Sequence, residues 1–207
     1  MPVDHLVNLE AACVRRFSFG ACCMSAKLFT IGHSTHSLDE FVALLTQHGI
    51  QTLVDIRRFP GSRKFPHFNQ ENLKLTLPER SIEYVWLEVL GGRRKKAAGT
   101  SDNLGLRNES FRNYADYMST PDFQRGVQQL LDIAAEKPTC YMCSESMFWS
   151  CHRRLVSDYL LTRGVSVQHI MPSGELMPHK LTHGAIITDG KLTYPAPEDD
   201  QRQFAFD

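Results

Sequence analysis

Cys143-Ser144-Glu145-Ser146-Met147-Phe148-Trp149-Ser150-Cys151-His152-Arg153-Arg154 follows the short apolar run Thr139-Cys140-Tyr141-Met142 and leads into Leu155-Val156-Ser157-Asp158-Tyr159-Leu160-Leu161. The last of these runs has helical spacing and stops at Gly164. That order predicts strand, loop, helix. The loop gathers two thiols, a carboxylate, an imidazole, two guanidiniums and an indole within twelve positions. In an open α/β sheet, ligands sit beyond the carboxyl ends of the strands, so these groups fall where chemistry is expected.

The same alternation extends outward. Val165–Ile170 alternates as a further strand after the helix. Upstream, Leu28-Phe29-Thr30-Ile31 reads as a buried strand, and Ser37 with Glu40 three residues later forms a capping box at a helix start. Thr52–Ile56 follows as a second strand and Ile82–Trp86 as a third, with a helix from Gln70 to Leu77 between them. Ser110–Met118 and Pro121–Ala135 are expected as helices, the latter capped by Thr120 with proline in its first turn. The expected fold is α/β: three layers, a mostly parallel sheet of about five strands, and helices on both faces.

Lys+Arg and Asp+Glu are each 23, for a formal net charge of +0, so any nucleic-acid contact needs a local basic patch. Three of the six cysteines (Cys13, Cys22, Cys23) lie in the first 23 residues and the rest have no regular spacing. This is reduced, cytoplasmic usage and not a disulfide framework. Residues 1–25 read as a flexible N-terminal extension with no anchor or signal, and 26–207 as a single domain with a C-terminal tail that Phe204 and Phe206 dock. No membrane contact is expected, and oligomeric state is not legible.

Four strand ends should deliver their side chains to one edge: His33 and Ser34; Asp55 with Arg57, Arg58 and Phe59; Gly91, Gly92 and Arg93; and Cys143 with Glu145. The segment Arg57–Phe68 interleaves cations with aromatics, which suits an anionic ligand carrying a flat ring. Ala97–Asn108, rich in Gly, Ser and Asn, reads as a mobile lid or exposed excursion. This convergence favours an enzyme or ligand-binding protein over a scaffold.

The runs Thr30-Ile31-Gly32-His33-Ser34, Leu53–Pro60, Leu90-Gly91-Gly92-Arg93, Met142-Cys143-Ser144-Glu145 and Trp149–Arg154 resemble domain-of-unknown-function family 488 of bacteria and archaea. The resemblance spans about Leu28 to Ile170. It implies a soluble α/β protein built around these Cys, Glu, His and Arg positions, and carries no reaction.

Three chemistries suit the residues. In the first, Asp55 and Glu145 act as the acid and base of a glycosidase-like or repair-type hydrolase or transferase on a nucleotide or nucleic-acid base. There His33, Arg57, Arg58 and Arg153 hold phosphate, Trp149 or Phe59 stacks on the base, and Ser34, Gly91, Gly92 and Arg93 complete the substrate-binding set. In the second, Cys151 and His152 lie in the first turn of a helix capped by Ser150, Cys151 is a thiolate and Cys143 its redox or sulfur-transfer partner. In the third, the chain is a non-catalytic nucleic-acid or zinc-binding module. No cofactor is expected; zinc would require Cys143, Cys151 and His152, with His33 as a fourth ligand, although adjacent Cys and His rarely reach one ion.

Overall fold

The computed structural model describes residues 27–96 and 98–197. The expectations for residues 1–25 and for Phe204 and Phe206 lie outside the described residues. Lys27–Gly32 forms β1, buried from Leu28 onward on both faces, as a central parallel strand with apolar Leu28, Phe29 and Ile31 should be. Helix α1, Leu38–Gln47, starts at the Ser37 capping box, with Ser37 accepting from the Glu40 amide and Glu40 from the Ser37 amide. Then come β2 (Thr52–Asp55), α2 (Gln70–Thr76), β3 (Glu83–Trp86), α3 (Glu109–Met118) and α4 (Pro121–Glu136). Thr120 caps α4 through the Phe123 amide, with proline in the first turn. The chain continues through β4 (Thr139–Cys143), α5 (Arg153–Thr162), β5 (Ser166–Ile170), β6 (Leu176–Pro178), β7 (Ile186–Thr188) and β8 (Lys191–Thr193).

The principal sheet has the order β3-β2-β4-β1-β5-β6, parallel throughout except for β6, which runs antiparallel to β5. The fold class is as expected, with six strands where about five were predicted. β6, β7 and β8 are each three residues long, too short to generate an alternating signal.

Helices α1 and α2 pack on one face of the sheet through Phe41, Leu45 and Leu73, against Phe29, Ile31, Leu53 and Met142. Helices α3, α4 and α5 pack on the other through Tyr114, Phe123, Val127, Leu155 and Tyr159, against Leu28, Val54, Ile56 and Tyr141. The chain therefore leaves β1 toward one face and β4 toward the opposite face, although these strands are neighbours with Gly32 level with Cys143. Their carboxyl ends form the topological switch point, where the connecting segments part and open a crevice.

The expected excursion before Asn108 is tied down. Asn103 and Leu106 are buried, the Tyr194 amide donates to Asn103 Oδ1 at 2.9 Å, and the Gly105 amide donates to the Tyr194 carbonyl at 2.8 Å. Polar composition concealed this, because the anchoring residue lies 91 positions from Asn103, beyond any local pattern. Among the described residues, no helix is long and apolar enough to cross a membrane.

Candidate functional site

The crevice at the switch point is a cavity of about 730 Å³. Its lining includes His33, Ser34, Arg57, Arg58, Phe59, Gly92, Arg93, Cys143, Glu145, Cys151 and His152, so residues of four strand ends and the α5 entry meet in one place. Four residues singled out from sequence stand outside it: Asp55, Gly91, Trp149 and Arg153.

Asp55 is fully buried beneath the crevice. Its carboxylate accepts from Arg57 Nε at 2.9 and 3.0 Å and from Arg57 Nη2 at 2.5 Å. The Arg57 amide donates to it at 2.9 Å and the Tyr84 hydroxyl at 2.7 Å. Burial and the neighbouring Asp55 charge push the Tyr84 hydroxyl far above the ordinary tyrosine range, so it remains a donor. Arg57 also donates to the Phe68 carbonyl at 2.7 Å and approaches His33 Nε2 at 3.4 Å. Its guanidinium thus ties the end of β2, the far end of its own loop and the loop after β1 together.

His33 is a neutral partner in that assembly. Burial, followed by the Arg57 charge, lowers it to about 4. Its Nδ1–H donates to the Ser34 carbonyl at 3.1 Å, and its ring stacks on Phe68 with centroids 4.3 Å apart. Both ring nitrogens are therefore engaged by protein, which leaves none for the fourth-ligand role considered from sequence. Phe68 plugs the sheet end, while Phe59 is exposed at the cavity wall.

At Gly32 and Gly92 the backbone passes close to residues of the site. A Cβ at Gly32 would run into the Glu145 carbonyl and lie 2.8 Å from Arg153 Nη2. A Cβ at Gly92 would stand 3.0 Å from His152 Nδ1, so this glycine covers the imidazole. Gly91 serves the same purpose against the Arg58 backbone, outside the cavity. Arg93 is exposed on the wall, and Arg58 pairs with Glu88 at 3.1 Å. Trp149 is exposed away from the cavity and meets Phe148 edge-on.

At the cavity floor lie Cys143, Cys151 and His152, whose ligand atoms are all within 4.8 Å of one another. His152 Nε2–H donates to the Ile56 carbonyl at 3.1 Å, which fixes the tautomer and leaves the Nδ1 lone pair facing inward. Nδ1 stands 3.7 Å from Cys143 Sγ and 3.6 Å from Cys151 Sγ. Adjacent Cys and His thus reach one point here, contrary to the expectation from sequence, because the chain turns between an extended Cys151 and the start of α5.

The predicted Ser150 cap is absent. Ser150 ends a short 3-10 turn, α5 begins at Arg153, and no side-chain cap bond is made by His152 at the cap position. The Cys151 sulfur instead accepts from the Arg153 amide at 3.5 Å, as a capping oxygen would. Burial alone would raise the Cys151 thiol, but the hydrogen bond from Cys143, the Arg153 charge and the Arg153 amide together bring it down to about 6. That hydrogen bond to Cys151, and burial, push Cys143 up to about 12. The two thiols titrate as a coupled pair, with Cys151 the lowered member and Cys143 the raised one.

Arg153 is only 1% exposed. Its guanidinium donates to the Glu145 carbonyl at 2.5 Å, the Ser146 carbonyl at 3.1 Å and Thr30 Oγ1 at 3.2 Å. Among the described residues no carboxylate lies within ion-pair distance of it. It fixes the loop from below, and a Cys151 thiolate is its natural counter-charge. Glu145 itself is exposed on the cavity wall, and its carboxylate bonds to no described residue.

The sequence reading missed Asn108, Phe111 and Tyr114 as cavity-lining residues. Tyr114 lies against His152, with ring centroids 5.0 Å apart, and donates to the Leu90 carbonyl at 2.6 Å. It lies within the expected Ser110–Met118 helix, and only the fold shows that this part of the core forms the cavity wall.

A parallel sheet covered on both faces, with two thiols and an imidazole at its switch point, defines an α/β protein with a cysteine-centred site. The family model described as "Domain of unknown function DUF488" matches residues 37–160, and the chain belongs to that family. The match contains four of the five runs quoted from sequence, and Thr30–Ser34 lies just upstream. No curated protein and no solved structure matches the chain.

Proposed function

We propose that the chain is a thiol-dependent enzyme acting on an anionic substrate, with Cys151 as nucleophile and Cys143 as its second thiol. The observation that carries this reading is Arg153, whose buried guanidinium has no carboxylate within ion-pair distance among the described residues and whose backbone amide donates to the Cys151 sulfur. A thiolate at that point serves both groups, because an isolated buried cation is strongly disfavoured.

The step is dithiol–disulfide exchange. The Cys151 thiolate attacks one sulfur of a substrate S–S bond, that bond breaks, and the other sulfur leaves as a thiolate. Cys143 loses its proton to His152 Nδ1 and attacks the Cys151 sulfur, so the Cys143–Cys151 bond forms while the second substrate thiolate departs. The substrate gains the two electrons that the dithiol loses. Arg58 and Arg93 on the wall suit an anionic group, and exposed Phe59 suits a ring, as in a nucleotide-bearing substrate. Reduced cysteines at the site suit a cytoplasmic setting.

Hydrolysis at a nucleotide or nucleic-acid base by an Asp55–Glu145 pair has weaker support. Asp55 is committed to Arg57 and Tyr84, and Glu145 stands alone on the wall. Zinc is the second reading of the same floor. It is favoured by the Nδ1–sulfur separations of 3.6 and 3.7 Å, close to the roughly 3.5 Å edge that tetrahedral zinc bonds to nitrogen and sulfur define. The carbonyl behind His152 is the outer partner such a ligand uses.

The test is iodoacetamide labelling of the reduced, full-length protein with metal analysis alongside. Thiol chemistry predicts rapid labelling at Cys151, loss of it in Cys151→Ser, and a Cys143–Cys151 disulfide on mild oxidation. Stoichiometric zinc that blocks labelling until chelation would replace this reading with the second.

A further inference from the structure

Asn108 and Phe111 form a ridge that lines both the thiol cavity and a second cavity of about 530 Å³. The wall of this second basin carries Arg107, Arg154, His179, Lys180 and His183, and no carboxylate. Elsewhere Arg58, Arg80, Arg125, Lys137 and Lys191 each pair with an acid. Among the described residues, Arg107, Arg154 and Lys180 have no carboxylate within ion-pair distance.

Two donors on this wall also lack partners. Arg154 Nε and Thr182 Oγ1 are buried without a hydrogen bond. The Arg154 guanidinium lies 5.2 Å from the centre of the Phe111 ring, an arrangement that braces it while its N–H groups remain suited to an oxygen-rich anion. Asp158, which bonds to His179 and Thr182 of this wall, does not itself line the basin. Asp158 lies fully buried, with oxygens taken by His179 at 2.9 Å, the Thr182 amide at 2.8 Å and the Tyr194 hydroxyl at 2.8 Å.

We propose that this basin is a phosphate subsite, holding a phosphoryl group of the same ligand whose reactive end enters the thiol cavity across Asn108 and Phe111. The inference rests on the reading above that the substrate is anionic, and it names the group and the place of its recognition. The Arg154 and Arg107 guanidiniums beside Lys180 and the His183 imidazole match the many acceptor oxygens of phosphate, while His179, both of whose ring nitrogens are taken by Asp158 and His169, only walls the basin, and the absence of a wall carboxylate removes the repulsion that would reject it. The shared ridge makes an extended phosphate ester the fitting ligand class.

The experiment is calorimetric titration of the reduced, full-length protein with inorganic tripolyphosphate at low salt. The wild type is compared with Arg154→Gln and with the double variant Arg107→Gln/Lys180→Gln, whose positions are exposed and leave the core intact. Wild-type binding that weakens at least about tenfold in both variants supports the subsite, that being the scale of one lost charge-assisted contact. No wild-type binding, or equal affinity in all three proteins, overturns it. Iodoacetamide labelling of the same samples without phosphate separates the two claims. A basin-dependent affinity in a protein whose Cys151 proves unreactive sinks the thiol reading and upholds the subsite. Normal labelling with no phosphate binding does the reverse.

Discussion

The backbone amide of Arg153 donates to the sulfur of Cys151 at 3.5 Å, while the guanidinium of that same arginine is buried with carbonyl and hydroxyl partners only. One residue thereby supplies both a donor and a charge to the thiol. In wild type the labelling rate should rise with a midpoint near pH 6, the value to which Cys151 is lowered. In Arg153→Gln the midpoint should move up by about one to three pH units, as expected when an opposite charge is removed. Arg153→Lys keeps the charge but loses the fork, and should fall between. A midpoint unchanged in Arg153→Gln would show that the guanidinium does not act on the thiol.

Stability should carry the same signature. The folded-state value of Cys151 lies at about 6, below an ordinary thiol near 9. Its ionisation therefore contributes stability that is full above the ordinary value and is lost as pH falls through about 6. Cys143, raised to about 12, acts in the opposite sense, and only above the ordinary thiol value. The denaturation midpoint of wild type relative to Cys151→Ser should consequently increase from pH 6 to pH 8. Guanidinium titrations at several pH values measure this, and a constant difference would mean that Cys151 stays protonated when folded.

The two carboxylates should separate cleanly. Asp55→Asn leaves Arg57 buried without its counter-ion and should destabilise the fold by about 3–5 kcal/mol. Glu145→Gln, exposed on the cavity wall, should change stability by less than about 0.5 kcal/mol. Chemical denaturation reads both. If Asp55→Asn were neutral for folding while turnover vanished, Asp55 would regain the acid–base role that its bonds to Arg57 and Tyr84 argue against.

What the sequence reveals divides along local and non-local lines. Ser37 with Glu40, and Thr120 with Pro121, mark helix starts because those bonds close within three residues. Strand ends that gather His33, Arg58, Gly92 and Cys143 were legible because β/α alternation fixes which edge they share. Ser150 looked like a cap only because a good capping residue preceded the helix, whereas a 3-10 turn carries the start of α5 on to Arg153. Arg153 looked like a cavity residue, yet it points under the loop, since the packing of α5 on the sheet decides which side of its first turn faces inward. The β7–β8 hairpin did have a local sign: Asp189-Gly190, both at positive φ, is a two-residue turn signal, and weighing it would have found both strands.

The last prediction concerns the segment that follows the parallel sheet. Asp158, on α5, receives His179 Nε2–H at 2.9 Å, the Thr182 amide at 2.8 Å and the Tyr194 hydroxyl at 2.8 Å. Three points of the chain beyond β5 thus hang on one buried carboxylate. His179 Nδ1 in turn lies 2.9 Å from His169 Nε2, and His169 stacks on Phe148 with centroids 3.5 Å apart, so the network reaches the loop between the two site cysteines. Asp158→Asn keeps the size but can no longer accept at both oxygens, and buried donors left unpaired cost about 1–3 kcal/mol each. Amide exchange at Thr182 and across 179–194 should accelerate beyond what the global loss of stability explains, while the parallel strands retain protection. Labelling of Cys151 should also lose its sharp pH dependence as the loop loosens. Uniform acceleration throughout the chain would show that Asp158 supports the whole fold equally and does not act as the local anchor of this segment.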